Sequence, residues 1–145
     1  MQIPPEDLMR HPGHLLRRAV QAMNLLWEEE VSHTITSPQF AALNALYSEP
    51  NLDQRTLGQR ISLDRSTMAE VVSRLCDRGL IRTERDRRDG RRKTIALTTK
   101  GLHAVQHLIP RTHAMTDRLV GPLPPRERER LLRLLTEVVR ANERR

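Results

Sequence analysis

The chain has 145 residues, 37% hydrophobic and 30% charged, with 25 Lys and Arg against 18 Asp and Glu for a net charge of +7. That size suits one compact domain or a small domain with an added helical module, and the periodic apolar positions exclude wholesale disorder. No run approaches the ~20 apolar residues of a membrane span, and the amino terminus lacks the charged start and apolar stretch of a signal peptide, so the cytoplasm is the expected location.

A single cysteine, Cys76, excludes an internal disulfide framework and a multi-cysteine metal site. Trp27, Phe40 and Tyr47 are the only aromatic residues of the Phe, Trp and Tyr class, so the core is aliphatic, which suits packed helices. The charge is unevenly placed. Residues 1–51 hold three basic and six acidic side chains, residues 52–100 thirteen and seven, and residues 101–145 nine and five. The basic middle attracts polyanions such as nucleic acid.

In chain order, Leu15 to Val31 reads as a long helix whose apolar residues, Leu15, Leu16, Ala19, Val20, Ala22, Met23, Leu26 and Trp27, cover more than one stripe. Such a helix must be buried on two sides, by the core and by either a second copy of the chain or a ligand. Ser37 before Pro38 marks a helix start, and that helix runs to about Ser48 with Pro50 closing it. Asp53 can cap a short helix from Gln54 to Ile61, in which Leu57 and Ile61 point inward. After the turn Ser62 to Asp64, a helix from Arg65 to Arg78 buries Met68, Val71, Val72 and Leu75, and Gly79 ends it.

Ile81 to Arg85 and Lys93 to Thr98 read as two strands whose turn pair is Asp89-Gly90, with glycine taking the positive backbone angle. Thr98 can cap a helix carrying Leu102, Val105, Leu108 and Ile109, which Pro110 should kink or break. A last amphipathic helix spans Arg126 to Asn142. The division this suggests is an N-terminal helix in 1–36, a lobe in 37–98, and C-terminal helices in 99–145, the two ends being the dimerisation segments that the resemblance given below implies. The fold class is mainly α with a small β-hairpin.

Two short helices separated by a tight turn and followed by a basic hairpin form the winged helix-turn-helix pattern, in which the second helix enters the major groove of duplex DNA. Apolar residues take one face of Arg65 to Arg78. The other face holds Arg65, Ser66, Thr67, Glu70, Ser73 and Arg74, with the early-turn trio Arg65, Ser66 and Thr67 best placed for base edges. Arg82 to Lys93 holds seven basic residues against three acidic, a charge that suits phosphates or a narrow minor groove.

Four stretches resemble the MarR family: Leu63-Asp64-Arg65-Ser66-Thr67, Leu75-Cys76-Asp77-Arg78-Gly79-Leu80-Ile81, Asp86-Arg87-Arg88-Asp89-Gly90-Arg91, and Leu97-Thr98-Thr99-Lys100-Gly101. The family's wing motif, Asp, any residue, Arg, two residues, Arg, falls on Asp86, Arg88 and Arg91. The resemblance implies a homodimer joined through the first and last two helices, Arg91 in the minor groove oriented by Asp89, and repression relieved by a small molecule. It also implies an effector pocket walled by the first helix, the start of the second and the helix from Thr99.

His11-Pro12-Gly13-His14-Leu15-Leu16-Arg17-Arg18 is similar to members that regulate aromatic-acid catabolism. A guanidinium beside apolar walls suits an aromatic carboxylate, so the effector candidates are His14, Arg17, Arg18, Trp27, Thr36, Phe40, His107 and His113.

His103 and His107 stand one helical turn apart and could begin a zinc site, but two histidines are half a site and no third ligand follows by spacing. No metal site and no cofactor is therefore expected. Cys76, four residues after Val72, reads as a packing residue rather than a redox sensor. The chain has no Gly-rich phosphate loop, complete ligand set or nucleophile motif, which argues against an enzyme. The remaining alternatives are a metal-sensing regulator and a ligand-independent winged-helix nucleic-acid-binding protein.

Overall fold

Hydrophobic periodicity and capping residues together set out the helices of this chain, whose computed structural model describes residues 5–143. In order they are α1 (Pro5–Leu8), α2 (Pro12–Leu26), a π-helical turn (Trp27–Val31), α3 (Ser37–Ser48), α4 (Gln54–Ile61), α5 (Arg65–Asp77), β1 (Ile81–Arg85), β2 (Lys93–Leu97), α6 (Thr99–Leu119) and α7 (Pro125–Glu143). The fold is mainly helical with a two-stranded antiparallel hairpin, a winged helix-turn-helix between flanking helices. Two compact units result: Trp27–Thr112 forms one, and Met1–Leu26 with His113–Arg145 contributes the other.

The unit Trp27–Thr112 packs around Leu43, Leu46, Leu57, Met68, Leu75, Ile95 and Val105, all almost fully buried. These come from α3, α4, α5, β2 and α6, so the helix-turn-helix and the hairpin share one core. Gly58 of α4 lets α5 approach, since a β-carbon there would lie 2.9 Å from Met68 Cγ and 3.2 Å from the Leu63 carbonyl oxygen. Ser62 takes the left-handed conformation (φ 57°) that turns α4 into α5. The strands pair from Ile81 with Leu97 to Arg85 with Lys93. Leu52 adds a third, single-residue rung by accepting the Ile95 N–H at 2.8 Å.

Four expectations change. The N-cap of α3 is Thr36, one residue before the expected Ser37: its hydroxyl accepts from the Gln39 N–H, and the Gln39 side chain accepts from the Thr36 N–H. That reciprocal pair satisfies two groups, and Pro38 falls within the first turn. Pro110 does not end α6, which continues to Leu119. Pro110 and Gln106 are both exposed, so water can take the place of the hydrogen bond the proline cannot donate. Gly90 is not the glycine with a positive φ; among the described glycines that is Gly79 (φ 70°), beyond the end of α5. The long first helix does not run to Val31 as one α-helix, because its last turn widens to π geometry at Trp27. Within this one chain α2 buries no residue, and neither does α7.

Candidate nucleic-acid interface

The helix-turn-helix is held by two aspartates. Asp53 accepts the Thr56 N–H at 2.7 Å and starts α4, and Asp64 accepts the Thr67 N–H at 2.8 Å and starts α5. Both carboxyls lie below their ordinary value of 3.8. For Asp64 the cause is first hydrogen bonding from Thr67, its N–H ahead of its side chain, and then the Ser66 hydroxyl; for Asp53 it is first hydrogen bonding from Thr56, with Arg92 contributing less.

With Met68, Val71, Val72 and Leu75 buried, α5 presents Arg65, Ser66, Ser73 and Arg74 as exposed side chains. Thr67 is half-buried, and with Thr36, Pro38, Gln39, Glu70, Val71 and Arg74 it lines a groove of about 300 Å³ between the start of α3 and α5. The Ser66 hydroxyl donates to Asp64 at 3.1 Å. Arg74 pairs with Glu70 at 3.2 Å, one turn earlier on the same helix. Arg65 makes no ion pair among the described residues, which leaves its charge available at the amino-terminal end of the helix.

Two polar residues beside it escaped the sequence reading. A groove of about 690 Å³ runs between α4 and α5, lined by Gln54, Arg55, Gly58, Gln59, Ser62, Leu63, Arg65 and Met68. Arg55 and Gln59 are exposed and share that groove with Arg65. The signal was available: on α4 they avoid the face buried by Leu57 and Gly58, and a charge on the first helix of such a pair is positioned for the DNA backbone.

Residues 86–92 form the tip of the hairpin. Asp86 accepts the Arg88 N–H at 2.9 Å and Asp89 the Arg91 N–H at 3.1 Å, and the Arg92 N–H donates to the Asp89 carbonyl at 3.0 Å. Asp89 thus holds the backbone of Arg91. Arg87, Arg88 and Arg91 are exposed and form no ion pair among the described residues, so the tip carries uncompensated positive charge. Arg92 behaves differently: its guanidinium reaches back to Asp53, with Nη2 at 3.0 Å and Nε at 3.1 Å from Oδ2.

The other end of α5 is also tied down. Lys100 Nζ donates to the Arg78 carbonyl at 2.9 Å, the Thr98 hydroxyl donates to the Gly79 carbonyl at 2.6 Å, and the Thr98 oxygen accepts the Gly101 N–H at 3.0 Å as the cap of α6. A β-carbon on Gly101 would fall 1.9 Å from the Leu80 carbonyl oxygen, so only glycine fits where α6 starts against the end of the recognition helix.

Such a helix-turn-helix, with its basic hairpin and tight α5 to α6 join, has counterparts among known proteins. A family model described as the MarR family matches residues 33–92. The transcriptional regulator HosA of Escherichia coli O111:H- is 30% identical over 128 residues, spanning 88% of this chain and 94% of that protein. This chain belongs to the MarR family.

It is therefore a transcriptional regulator and not an enzyme. The crystal structure of the PcaV transcriptional regulator from Streptomyces coelicolor, in complex with its natural ligand, matches with a TM-score of 0.90 and 49% identity, covering 97% of this chain and 99% of that one. Bordetella bronchiseptica BpsR, whose structure addresses regulation of DNA binding by 6-hydroxynicotinic acid, matches with a TM-score of 0.80 and 29% identity over 88% of this chain and 97% of that one.

The effector candidates are divided between the two units. Trp27, Thr36, Phe40 and His107 belong to one; His14, Arg17, Arg18 and His113 belong to the other. Trp27 and Phe40 are brought together with ring centroids 5.7 Å apart and planes inclined at 54°, and the Trp27 indole N–H donates to the Ile35 carbonyl at 2.8 Å. Thr36 is committed to its cap and His107 is exposed. In the other unit, the Arg17 guanidinium lies 3.3 Å from His14 Nδ1, Arg18 donates to Met9 Sδ at 3.2 Å, and His113 is exposed.

Cys76 is half-buried, and first burial and then the neighbouring Asp77 push its thiol up, away from the thiolate a redox sensor needs. Among the described residues no three His, Cys, Asp or Glu side chains gather as a metal site, and no helix is long and apolar enough to cross a membrane.

Proposed function

We propose that this regulator binds a pseudo-palindromic duplex operator as a homodimer, represses transcription there, and is released by a small aromatic carboxylate. The observation that carries the reading is the joint exposure of Arg65, Ser66, Ser73 and Arg74 on α5 and of Arg88 and Arg91 on the wing, while the opposite faces of both elements enter one core. The α5 residues address base edges in the major groove, and the wing arginines, with Asp89 fixing the backbone of Arg91, address the minor groove and phosphates.

The dimer reading rests on α2 and α7. Leu15, Leu16, Val20 and Leu25 on α2, and Leu132, Leu134, Leu135, Val138 and Val139 on α7, are exposed in one chain. Apolar surface of that extent marks an interface. A recognition helix from each copy then falls on half-sites about one helical turn apart.

Support for the effector comes from PcaV, solved with its natural ligand, and from BpsR, regulated by 6-hydroxynicotinic acid. The basic candidates Arg17 and Arg18, which lie in one unit, can grip a carboxylate in a fork. The test has two stages. Duplexes selected from a random library by the full chain are footprinted, and the selected duplex is then titrated with 6-hydroxynicotinic acid and a panel of benzoic acids. The reading predicts a two-fold symmetric footprint and release by at least one acid, with that acid also raising the thermal midpoint of the free protein. Selection of no duplex would refute the DNA reading, and a selected duplex that no aromatic acid displaces would refute the effector.

A further inference from the structure

The wing tip can read DNA only if it is held at a fixed distance and angle from the recognition helix. A hairpin of two five-residue strands is a weak support for a seven-residue basic loop, since two-stranded ribbons twist readily and are marginal alone. Besides the packing of Ile81 and Ile95 into the shared core, two polar connections brace this one from outside. One is the backbone rung between Leu52 and Ile95, both buried. The other is the pairing of Arg92, at the carboxyl end of the loop, with Asp53, 39 residues earlier.

The Asp53 carboxylate divides its two oxygens between two tasks. Oδ1 accepts the Thr56 N–H at 2.7 Å and closes the amino terminus of α4. Oδ2 receives both Nε and Nη2 of Arg92, at 3.1 and 3.0 Å. A two-nitrogen grip fixes the plane of a guanidinium as a single contact cannot. Arg92 is thereby set apart from Arg87, Arg88 and Arg91, which carry no ion pair among the described residues. Its charge is paired within the same chain, at the surface, with the residue that begins the helix-turn-helix.

We propose that Arg92 is a positioning residue for DNA binding rather than a DNA contact: paired with Asp53, it locks the base of the wing loop to the first helix of the helix-turn-helix and so sets where Arg88 and Arg91 reach. This rests on the DNA-binding reading above. The two roles have different signatures in salt. A side chain that neutralises a phosphate releases counterions, so its removal flattens the dependence of log K on log salt by about 0.9 per contact. A side chain that acts through another leaves that slope nearly alone and lowers affinity at every salt concentration.

The experiment measures binding of the selected duplex across a salt series for the full-length wild type and for Arg91→Ala, Arg92→Ala, Arg92→Lys, Asp53→Asn, and Arg92→Ala combined with Asp53→Asn. Asparagine caps a helix about as well as aspartate, so Asp53→Asn keeps α4 and removes only the ion pair. Arg92→Ala should weaken binding about fivefold, the upper range for a partly exposed pair, with the wild-type slope retained. Arg91→Ala should flatten the slope, Asp53→Asn should match Arg92→Ala, and the double variant should be no weaker than either. Arg92→Lys should recover part of the loss.

Unchanged affinity for Arg92→Ala, a slope flattened as for Arg91→Ala, or additive losses in the double variant would each overturn the proposal. A wild type that selects no duplex would instead overturn the DNA reading, so the two failures are distinct. Circular dichroism melts of each variant separate lost positioning from lost folding: a variant that holds the wild-type midpoint and still loses affinity supports positioning, and one that loses both in proportion counts against it.

Discussion

The two units of this chain hide their apolar residues to very different degrees. Among the described residues, every buried hydrophobic one but Met115 lies in Trp27–Thr112. Among the described residues twelve large hydrophobics are left exposed, of which eleven lie in the other unit and Tyr47 does not. One unit closes a core with its own residues, and the other leaves its apolar faces open within a single chain. On the proposed reading, the closed unit is the one that would meet a rigid duplex and so needs preorganisation, and the open unit is the one that would leave apolar area for a second copy.

The largest expected effect tests the open faces. Placing a charge there, as in Leu135→Glu or Val138→Glu, should raise the dimer dissociation constant by about a thousandfold or more, since a carboxylate would be buried without a partner in each copy. Sedimentation should show a dimer for the wild type and a monomer for the variants at micromolar concentration, and the wild-type melting point should rise with protein concentration. A wild type that sediments as a folded monomer breaks the comparison at its root.

Next in size is the closed core. Leu75→Ala on the inner face of α5 should cost about 3 kcal/mol in chemical denaturation, from lost burial and the cavity left behind. Leu75 is fully enclosed, so the loss should be the same at high and low protein concentration. A loss that shrank with concentration would show that this unit also relies on a second chain.

Much of this division is legible in the sequence. The i, i+3, i+4 recurrence of Met68, Val71, Val72 and Leu75 places the recognition helix, and Asp53 announces the start of α4 as a cap. Local chemistry of this kind is readable because cause and effect lie within one turn. The same locality explains what was missed. The Arg92 to Asp53 pair joins residues 39 apart, and nothing near Arg92 distinguishes it from Arg91 until the fold brings Asp53 within reach.

The positive φ expected at Gly90 and the break expected as one outcome at Pro110 are absent for a related reason. A hairpin loop of seven residues can be closed by aspartate side chains without a positive φ, and a proline whose missing bond faces water need not end a helix. The effector candidates lie in both units, and their order along the chain does not show that division.

A smaller effect sharpens the DNA-facing side. Arg91→Ala should lower affinity for the selected duplex about tenfold and flatten its salt dependence by about 0.9 per wing engaged. Arg65→Ala should instead relax sequence preference, losing more on the selected duplex than on a mixed-sequence one, as expected of a base-edge contact. Equal losses on both duplexes would reassign Arg65 to the phosphates.

The smallest expected effect is on acid stability, and it concerns the closed unit alone. Asp64 has its folded-state pKa below the ordinary 3.8, chiefly because the carboxylate accepts the Thr67 N–H. A depressed acid stabilises the fold above its unfolded pKa, and that contribution is lost as pH falls through the folded value. Asp64→Asn keeps a capping oxygen but cannot titrate, so it should match the wild type near pH 7 and lose less stability between about pH 4 and pH 2. Urea midpoints across that range measure the difference. Parallel acid profiles for the two proteins would mean that the Asp64 cap forms equally well in the unfolded chain or contributes nothing, and the recognition helix would then be held by the packing of its buried face, Met68, Val71, Val72 and Leu75.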